Sequence, residues 1–257
     1  MEEFLLFALV GFLAQAIDGA LGMAYGVISS TVLLALGVPP AQASASAHAA
    51  ELFTTAASGS AHLYPRNIDW KLFWRLVPFG VVGGMLGAFV VTSFDGDQVK
   101  PFVTAYLAVI GAWLLYRSFH RIPTKPVKLR IVAPLGAVAG FLDAAGGGGW
   151  GPVATTGLLG AGGQPRFVIG TVSASEFLIA LSVSLSFLAT ILTGHWEQAG
   201  EFRDYLASIG GLIIGGVMAA PLAGWAVKAL REKTLLRLVG SMIVLLAGYQ
   251  TLELTGF

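Results

Sequence analysis

The chain has 257 residues, of which 56% are hydrophobic and 11% charged, and its formal net charge is +1. Soluble domains carry about 25% charged residues, so this composition lies outside their range. The absence of cysteine excludes disulfides, thiolate metal sites and cysteine nucleophiles. Apolar runs of about 20 residues recur along the chain and predict an all-α polytopic membrane protein in contact with the lipid bilayer. We expect no cofactor and no nucleic-acid partner.

The first apolar segment is interrupted. Residues 4–17 and 27–36 are apolar, but the Gly-containing stretch 18–26 separates them. Neither half reaches the roughly 20 residues that a membrane crossing needs. Full-length apolar segments then follow at residues 41–63, 70–91 and 102–119.

A basic linker at residues 121–130 joins the first half of the chain to the second. The basic residues in the linker and just before it are Arg117, Arg121, Lys125, Lys128 and Arg130. The second half repeats the order of the first, because residues 131–142 and 153–161 again flank a Gly-rich break. Full-length apolar segments follow it at residues 167–192, 206–227 and 235–252.

The two breaks belong to an internal duplication. Residues 18–51 and 143–176 align without a gap, and eleven of the 34 aligned positions are identical. The identical pairs include Asp18/Asp143, Glu51/Glu176, Gly22/Gly147, Gly26/Gly151 and Pro40/Pro165, while Tyr25 aligns with Trp150. We therefore expect one transmembrane repeat at residues 1–120 and a second at residues 131–257, within one integrated domain.

Charge placement predicts the topology, because Lys and Arg accumulate in cytoplasmic loops. The linker is therefore expected inside. The loops then alternate consistently only if each broken segment enters and leaves on the same face, as a hairpin of two half-helices. Each repeat adds three true crossings, and an odd number makes the copies antiparallel. The prediction is two inverted-topology repeats, each a broken re-entrant helical hairpin plus three transmembrane helices, with both termini external.

The breaks are the first candidate binding elements. Non-helical backbone at membrane depth is tolerated only where protein buries it or where it lines a watery cavity, so we expect both Gly-rich stretches to line one. The half-helices that begin near residues 27 and 153 point their N-termini into it, which favours an anion. Inverted repeats with discontinuous helices are typical of secondary transporters. The alternative is that these glycines serve only helix packing.

Four carboxylic acids lie in apolar segments without a Lys or Arg in the membrane core to pair with them: Asp18, Glu51, Asp143 and Glu176. An intramembrane carboxylate is costly and by default functional. Protonation or a hydrated cavity relieves the cost, and both suit a proton-coupled carrier. The alternative is that the carboxylates brace the broken backbone at the hairpin tips.

A polar stripe follows the segment that contains Glu51. His48 and Glu51 are three residues apart, share a helix face and are placed to exchange a proton, whereas Ser173 replaces the histidine in the second copy. The predicted proton-coupling residues are Glu51, Glu176 and His48. The predicted substrate-binding residues are Asp18, Gly22, Tyr25, Gly26, Ser44, His48, Asp143, Gly147, Gly148, Gly149, Trp150, Gly151, Ser173 and Ser175.

With paired Asp-Gly-rich motifs, a downstream Pro and Glu in each copy and a basic linker, the chain resembles the TauE/SafE family of sulfite and organosulfonate exporters over essentially its full length. The motifs are Asp18-Gly-Ala-Leu-Gly-Met-Ala and Asp143-Ala-Ala-Gly-Gly-Gly-Gly, and the first copy has fewer glycines than the second. The resemblance implies a permease of the bacterial inner membrane for small sulfur-containing anions such as sulfite or sulfoacetate.

Together these features predict a secondary transporter, in the exporting direction, that moves a small inorganic or organic anion by alternating access, with protons as the coupling ion. Four acidic groups without a base also fit a divalent-cation or proton-driven transporter, with His48 and Glu51 as ligands. A passive channel stays open as well. The chain lacks H-E-x-x-H, G-x-S-x-G and P-loop patterns, so an enzyme is not expected. The sequence leaves the exact substrate and the oligomeric state open.

Overall fold

The computed structural model describes residues 2–21, 23–63, 67–120, 127–197, 199, 206–229 and 232–255. These residues form helices and connections, without a strand, which confirms the predicted all-α class. The helices are α1 (Glu2–Leu21), α2 (Tyr25–Ala35), α3 (Pro40–Leu63), α4 (Trp70–Thr92), α5 (Gly96–Phe119), α6 (Val132–Gly146), α7 (Thr156–Gly160), α8 (Pro165–Leu192), α9 (Leu206–Ala229) and α10 (Glu232–Thr255). A 3₁₀ turn, Leu129–Ile131, precedes α6, and a π-helix, Trp150–Thr155, precedes α7.

Among the described residues, five helical segments are long and apolar enough to cross a membrane. They are Trp70–Thr92, Gly96–Phe119, Leu129–Gly146, Pro165–Leu192 and Leu236–Thr255. Helix α3 was predicted to cross as well, but it falls outside this set although it has 24 residues. The reason is its polar stripe, whose described members are buried against protein rather than turned to lipid.

Both breaks are present, with shifted boundaries. Helix α1 runs past the expected end at residue 17 to Leu21, while its apolar part within the described side chains, Phe4–Asp18, stays shorter than a membrane span, as predicted for the first half. The half-helices after the breaks begin at Tyr25 and Trp150, a turn or less before the expected residues 27 and 153. The cause is local, because a carboxylate before each break accepts hydrogen bonds from the first amides of the half-helix.

Glycines bring two pairs of helices into backbone contact, and both pairs run parallel. Helix α9 lies on α1, where the Phe4 carbonyl faces Gly211 and the Ala8 carbonyl faces Gly215. Helix α4 lies on α6 in the same manner, as the Ala137 carbonyl faces Gly83 and the Phe141 carbonyl faces Gly87. Small residues that admit such close approach are typical of helix packing in lipid.

Two other pairs of helices run antiparallel, α5 with α10 and α3 with α8. Lys100 near the start of α5 pairs with Glu253 near the end of α10, with Nζ and Oε2 3.2 Å apart, while Arg237 near the start of α10 lies over the Phe119 ring. Helix α8 begins beside the α3–α4 connection, where the Asp69 amide donates to Thr171 Oγ1 at 2.9 Å. We call the end of the bundle that holds residues 67–69, 119–120 and 127–132 the linker end, and the end that holds residues 93–100 and 253–255 the opposite end.

The half-helix that follows each break ends at a defined end of the bundle. Pro39, which follows α2, lies at the opposite end, where a methyl group built on Gly96 would be 3.2 Å from the proline Cβ. Gly163, which follows α7, lies at the linker end, because a methyl group built there would be 3.0 Å from Val127 Cγ2. The residues 121–126 of the predicted linker lie outside the described residues.

Candidate functional site

The two aspartates of the duplicated motif make the same hydrogen bonds. Asp18 Oδ1 accepts from the amides of Ala24 at 2.7 Å and Tyr25 at 3.3 Å. Asp143 Oδ1 accepts from the amides of Gly149 at 2.7 Å and Trp150 at 2.9 Å. In both copies the donors are the sixth and seventh residues after the aspartate. Each carboxylate therefore holds its own break in shape and satisfies amides at the start of the half-helix.

The described part of the first break, residues 23–27, is called the first tip, and residues 146–151 of the second break are called the second tip. The two tips meet backbone to backbone. A methyl group built on Gly148 would lie 2.2 Å from the Val27 nitrogen, and one built on Gly151 would lie 2.4 Å from Met23 Cα. A methyl group on Gly26 would be 3.0 Å from the Gly147 carbonyl oxygen. Such distances exclude a side chain. The expectation that the glycines line a watery cavity is therefore wrong for Gly26, Gly148 and Gly151 in this arrangement, since the other tip occupies the space.

Gly147 ends α6 in the left-handed conformation, with φ of 71°, and its amide donates to the Asp143 carbonyl at 2.6 Å. This turn directs the chain from α6 into the contact with the first tip, where a methyl group on Gly147 would be 2.6 Å from Ser30 Cβ. A glycine is required here for both conformation and space. Its aligned partner in the first copy, Gly22, lies outside the described residues.

The aromatic residue at each tip anchors that tip to the other half of the chain. The Tyr25 hydroxyl donates to the Leu212 carbonyl of α9 at 2.9 Å, and its ring lies against Gly216. Trp150 Nε1 donates to the Val172 carbonyl of α8 at 3.2 Å, and its ring lies against Gly80 of α4. Both side chains are fully buried. Both rings therefore pack on a glycine of the other half of the chain, whereas only the Tyr25 hydrogen bond crosses between the halves.

The second tip also contacts the polar stripe of α3. His48 Nε2 lies 3.1 Å from Asp143 Oδ2, and His48 Nδ1 lies 2.8 Å from the Ser44 carbonyl. A carbonyl only accepts, so Nδ1 carries a proton, and the bond from Nε2 to Asp143 needs a second proton on one of its two atoms. Glu51 Oε2 lies 3.9 Å from His48 Nε2. The structure thus brings Asp143, His48 and Glu51 into one buried cluster, in which the hydrogen bond joins His48 and Asp143.

The remaining predicted residues are buried nearby in α3 and α8. Ser44 Oγ donates to the Ala144 carbonyl at 2.6 Å, and Ser175 Oγ donates to the Val172 carbonyl at 2.7 Å, so both hydroxyl protons are engaged with backbone. Ser173, which aligns with His48, is buried. Glu176 is also buried, and its Oε2 atom has no hydrogen-bond partner among the described residues.

A buried cation, Arg117, lies beside the first tip, near the linker end of α5. Arg117, in the last turn of α5, is 8% exposed, and its Nη1 atom lies 3.7 Å from Met23 Sδ. Sequence reasoning grouped this residue with the basic linker. Its position continues the buried face of α5, in steps of three and four residues. That face consists of Val103, Leu107, Ile110, Leu114 and Arg117.

Two cavities lie between the described helices, and the first of them borders the second tip. One, of about 480 Å³, lies between α4, α5 and α6 and reaches Gly146 of the second tip. The other, of about 630 Å³, lies between α4 and α8 near His195, whose Nε2 is 2.8 Å from Ser93 Oγ. Within the described part of the chain, no set of three or more His, Asp or Glu side chains is arranged to hold a metal ion.

Comparison with known proteins identifies the family. The family described as "Sulfite exporter TauE/SafE" matches residues 7–250. The chain is 42% identical over 252 residues to "Probable membrane transporter protein YtnM" of Bacillus subtilis (strain 168), an alignment that covers 95% of this chain and 81% of that protein. No solved structure matches. The resemblance found in the sequence is confirmed, and the chain belongs to the TauE/SafE family of membrane transporters.

Proposed function

We propose that this transporter exports small sulfur-containing anions, such as sulfite or an organosulfonate, across the bacterial inner membrane in a proton-coupled, alternating-access cycle. The observation that carries the proposal is the meeting of the two broken helices within a cluster of buried ionisable groups. Discontinuous helices that meet near mid-membrane are the usual substrate sites of secondary transporters. The family supports the anion class, and the buried Arg117 adds a cation beside the first tip.

The proposal includes inverted repeats at residues 1–120 and 131–257, joined by the linker 121–130. The helix pairs support them, because the first helix of each repeat packs parallel to a helix of the other repeat. Helix α1 lies parallel to α9 of the second repeat, and α6 lies parallel to α4 of the first. The half-helices that follow the breaks support them as well, because Pro39 and Gly163 lie at different ends. With the linker end cytoplasmic, both termini are external. Reporter enzymes fused to each terminus should be active outside, and activity in the cytoplasm would contradict this orientation.

Anion binding requires the tips to separate. In the closed arrangement the first amides of both half-helices donate to Asp18 and Asp143, and the Ser44 hydroxyl donates to a carbonyl. An oxyanion held by the remaining amides of the first turns, such as those of Gly26 and Val27, reaches them only once Gly148 moves away. Closure of the tips behind the anion then supplies the occluded step that alternating access needs.

Protons neutralise the acidic cluster when the anion is present. Carboxylates near an anion repel it unless they carry protons, so anion occupancy and proton load rise together. In the closed arrangement a hydrogen bond joins His48 and Asp143 beside Glu51, and Glu176 Oε2, which has no hydrogen-bond partner among the described residues, is available to take up a proton. The divalent-cation alternative has less support, because the side chains of His48, Glu51 and Asp143 are close together but, within the described residues, are not arranged to hold a metal ion.

Uptake of radiolabelled sulfite into proteoliposomes under an imposed pH gradient tests the proposal. Wild type should show saturable flux that is stimulated by unlabelled anion on the other side, which distinguishes a carrier from a channel. Glu51→Gln and Glu176→Gln should lose gradient-driven flux. Glu253→Gln serves as the matched control, because Glu253 lies at the exposed end of α10 and should keep normal flux. Flux of a divalent ion without flux of sulfite or a sulfonate would reverse the assignment.

A further inference from the structure

The cavity between α4, α5 and α6 has a lining suited to an apolar group. Its walls include Val90 and Val91 of α4, Phe102 of α5 and Phe141 of α6, and it encloses about 480 Å³. Ligand pockets for organic molecules commonly span about 300–1,000 Å³. Sulfite has no apolar part and is too small to fill this space. The cavity therefore fits a larger molecule than an inorganic anion.

A single polar group lies where the cavity meets the second tip. The Tyr106 ring lies against Gly146, and its hydroxyl lies against Gly149, where added methyl groups would be 2.7 Å and 2.6 Å away. The hydroxyl oxygen is buried and has no hydrogen-bond partner among the described residues. Leaving a buried hydroxyl unpaired costs about 1–3 kcal/mol. An occupant that brings an oxygen acceptor to this point removes that cost.

This polar group distinguishes the possible occupants. A lipid acyl chain would fill the space between the apolar walls but would leave the Tyr106 hydroxyl without a hydrogen-bond partner. An organic anion with its oxygens innermost satisfies both parts of the cavity. It would place its head beside the second tip, next to the Gly149 amide and the cluster of Asp143 and His48, and its tail toward the exposed Phe102 at the mouth.

We propose that this cavity binds the apolar tail of an organic sulfonate or related organic anion, with Tyr106 as the hydrogen-bond donor to its head group. The inference rests on the proposed function for the class of head group and extends it to the substrate's carbon skeleton. Substrates of this site are amphiphilic, and selectivity among anions depends on the length of the tail.

Binding of alkanesulfonates to the protein in lipid nanodiscs tests this independently of transport. Methanesulfonate, propanesulfonate and hexanesulfonate are the probes, and the increase in unfolding temperature gives the apparent affinity. Affinity in wild type should rise about three- to fourfold for each added methylene, as burial of apolar surface predicts. Ala145→Phe, which fills the cavity, should abolish the dependence on length. Val138→Phe on the exposed side of the same helix should retain it.

The variant Tyr106→Phe separates the contribution of the head group to binding from the contribution of the tail. Loss of the hydroxyl should weaken every homologue by about tenfold while the dependence on length persists, because a hydrogen bond to a charged group is lost. Tyr116→Phe, at an exposed position of α5, is the control and should match wild type. If Ala145→Phe does not fold, the pair of tyrosine variants decides the question.

Three results would overturn the inference. They are affinity that does not depend on tail length, equal dependence in Ala145→Phe, and equal stabilisation by hexylamine or hexanol. In these cases sulfite flux in proteoliposomes still tests the proposed function by itself. Conversely, alkanesulfonate binding without any anion flux would support the cavity assignment and contradict export.

Discussion

The first and second tips have the same internal brace but different surroundings. At both tips an aspartate accepts from the sixth and seventh amides that follow it, and an aromatic ring packs against a glycine of the other half of the chain. Only Asp143 also contacts a histidine, His48 of α3, whereas serine occupies the aligned position 173. The first tip instead has Arg117 beside Met23.

The difference shows which features belong to the fold and which to the chemistry. Bonds that both copies keep are those that a broken helix needs for its own backbone. Under the proposed function, groups found at one tip only are the candidates for contact with the substrate or the coupling ion, since the other tip keeps its shape without them. By this criterion His48 and Arg117 are stronger candidates for function than the two aspartates, whose Oδ1 atoms are engaged with backbone.

The largest expected effect separates the two aspartates. Asp18→Ala should lower the free energy of unfolding by about 2 kcal/mol or more, because two buried amides lose their acceptor. Asp143→Ala should lower it by about 1–3 kcal/mol beyond that, because His48 Nε2 is left unpaired as well. Denaturation in mixed micelles measures both values. Equal losses would mean that the contact with His48 contributes nothing to stability.

The contact between the tips is tested by a single methyl group. Gly148→Ala should destabilise the protein by about 3 kcal/mol, because the added carbon overlaps the Val27 nitrogen. Gly160→Ala at the end of α7 is the matched control, since a methyl group there meets nothing within 4 Å. A Gly148→Ala variant as stable as the control would show that the tips are not packed together.

A double-mutant cycle sharpens the comparison further. His48→Ala and Asp143→Ala should show a coupling energy of about 1–2 kcal/mol, because the two side chains share a hydrogen bond. The aligned pair, Asp18 and Ser173, lacks the imidazole and should couple less. A coupling as large in the first copy would indicate that the tips are equivalent in spite of the substitution.

The smallest expected effect concerns the aromatic anchors. Tyr25→Phe keeps the ring and removes only the hydrogen bond to the Leu212 carbonyl, so it should cost about 1 kcal/mol. The exposed Tyr116 gives the control, whose change to Phe should leave unfolding unchanged. Loss of stability well above this value would indicate a further role for the Tyr25 hydroxyl.

Much of the fold could be predicted because the interrupted helical segment occurs twice in the sequence, with the same spacing of its motif residues. Apolar length, the Gly-rich interruptions and the fixed spacing from Asp to Glu predict the helices and both interrupted segments. The polar stripe on α3 predicts that His48 and Glu51 share a face, and they do. These inferences depend on periodicity within one element, which a single sequence contains.

The partners across elements could not be predicted in the same way. A glycine that admits a ligand and a glycine that admits another backbone look the same in sequence, so the contact of Gly148 with Val27 was missed. An aspartate that binds substrate and one that braces backbone also look alike, and Asp18 illustrates it. Arg117 was assigned by its nearness to the linker, although the buried face of α5 runs to it in regular steps.

At Gly148 the two tips meet without a side chain on either surface, and this has a consequence for how the protein can change over evolutionary time. Where two side chains touch, a larger residue on one surface can be offset by a smaller one on the other. Between Gly148 and the Gly26–Val27 backbone nothing remains that can shrink. Replacements at this point have no single compensating mutation, so diversification among descendants is directed to the surrounding helices.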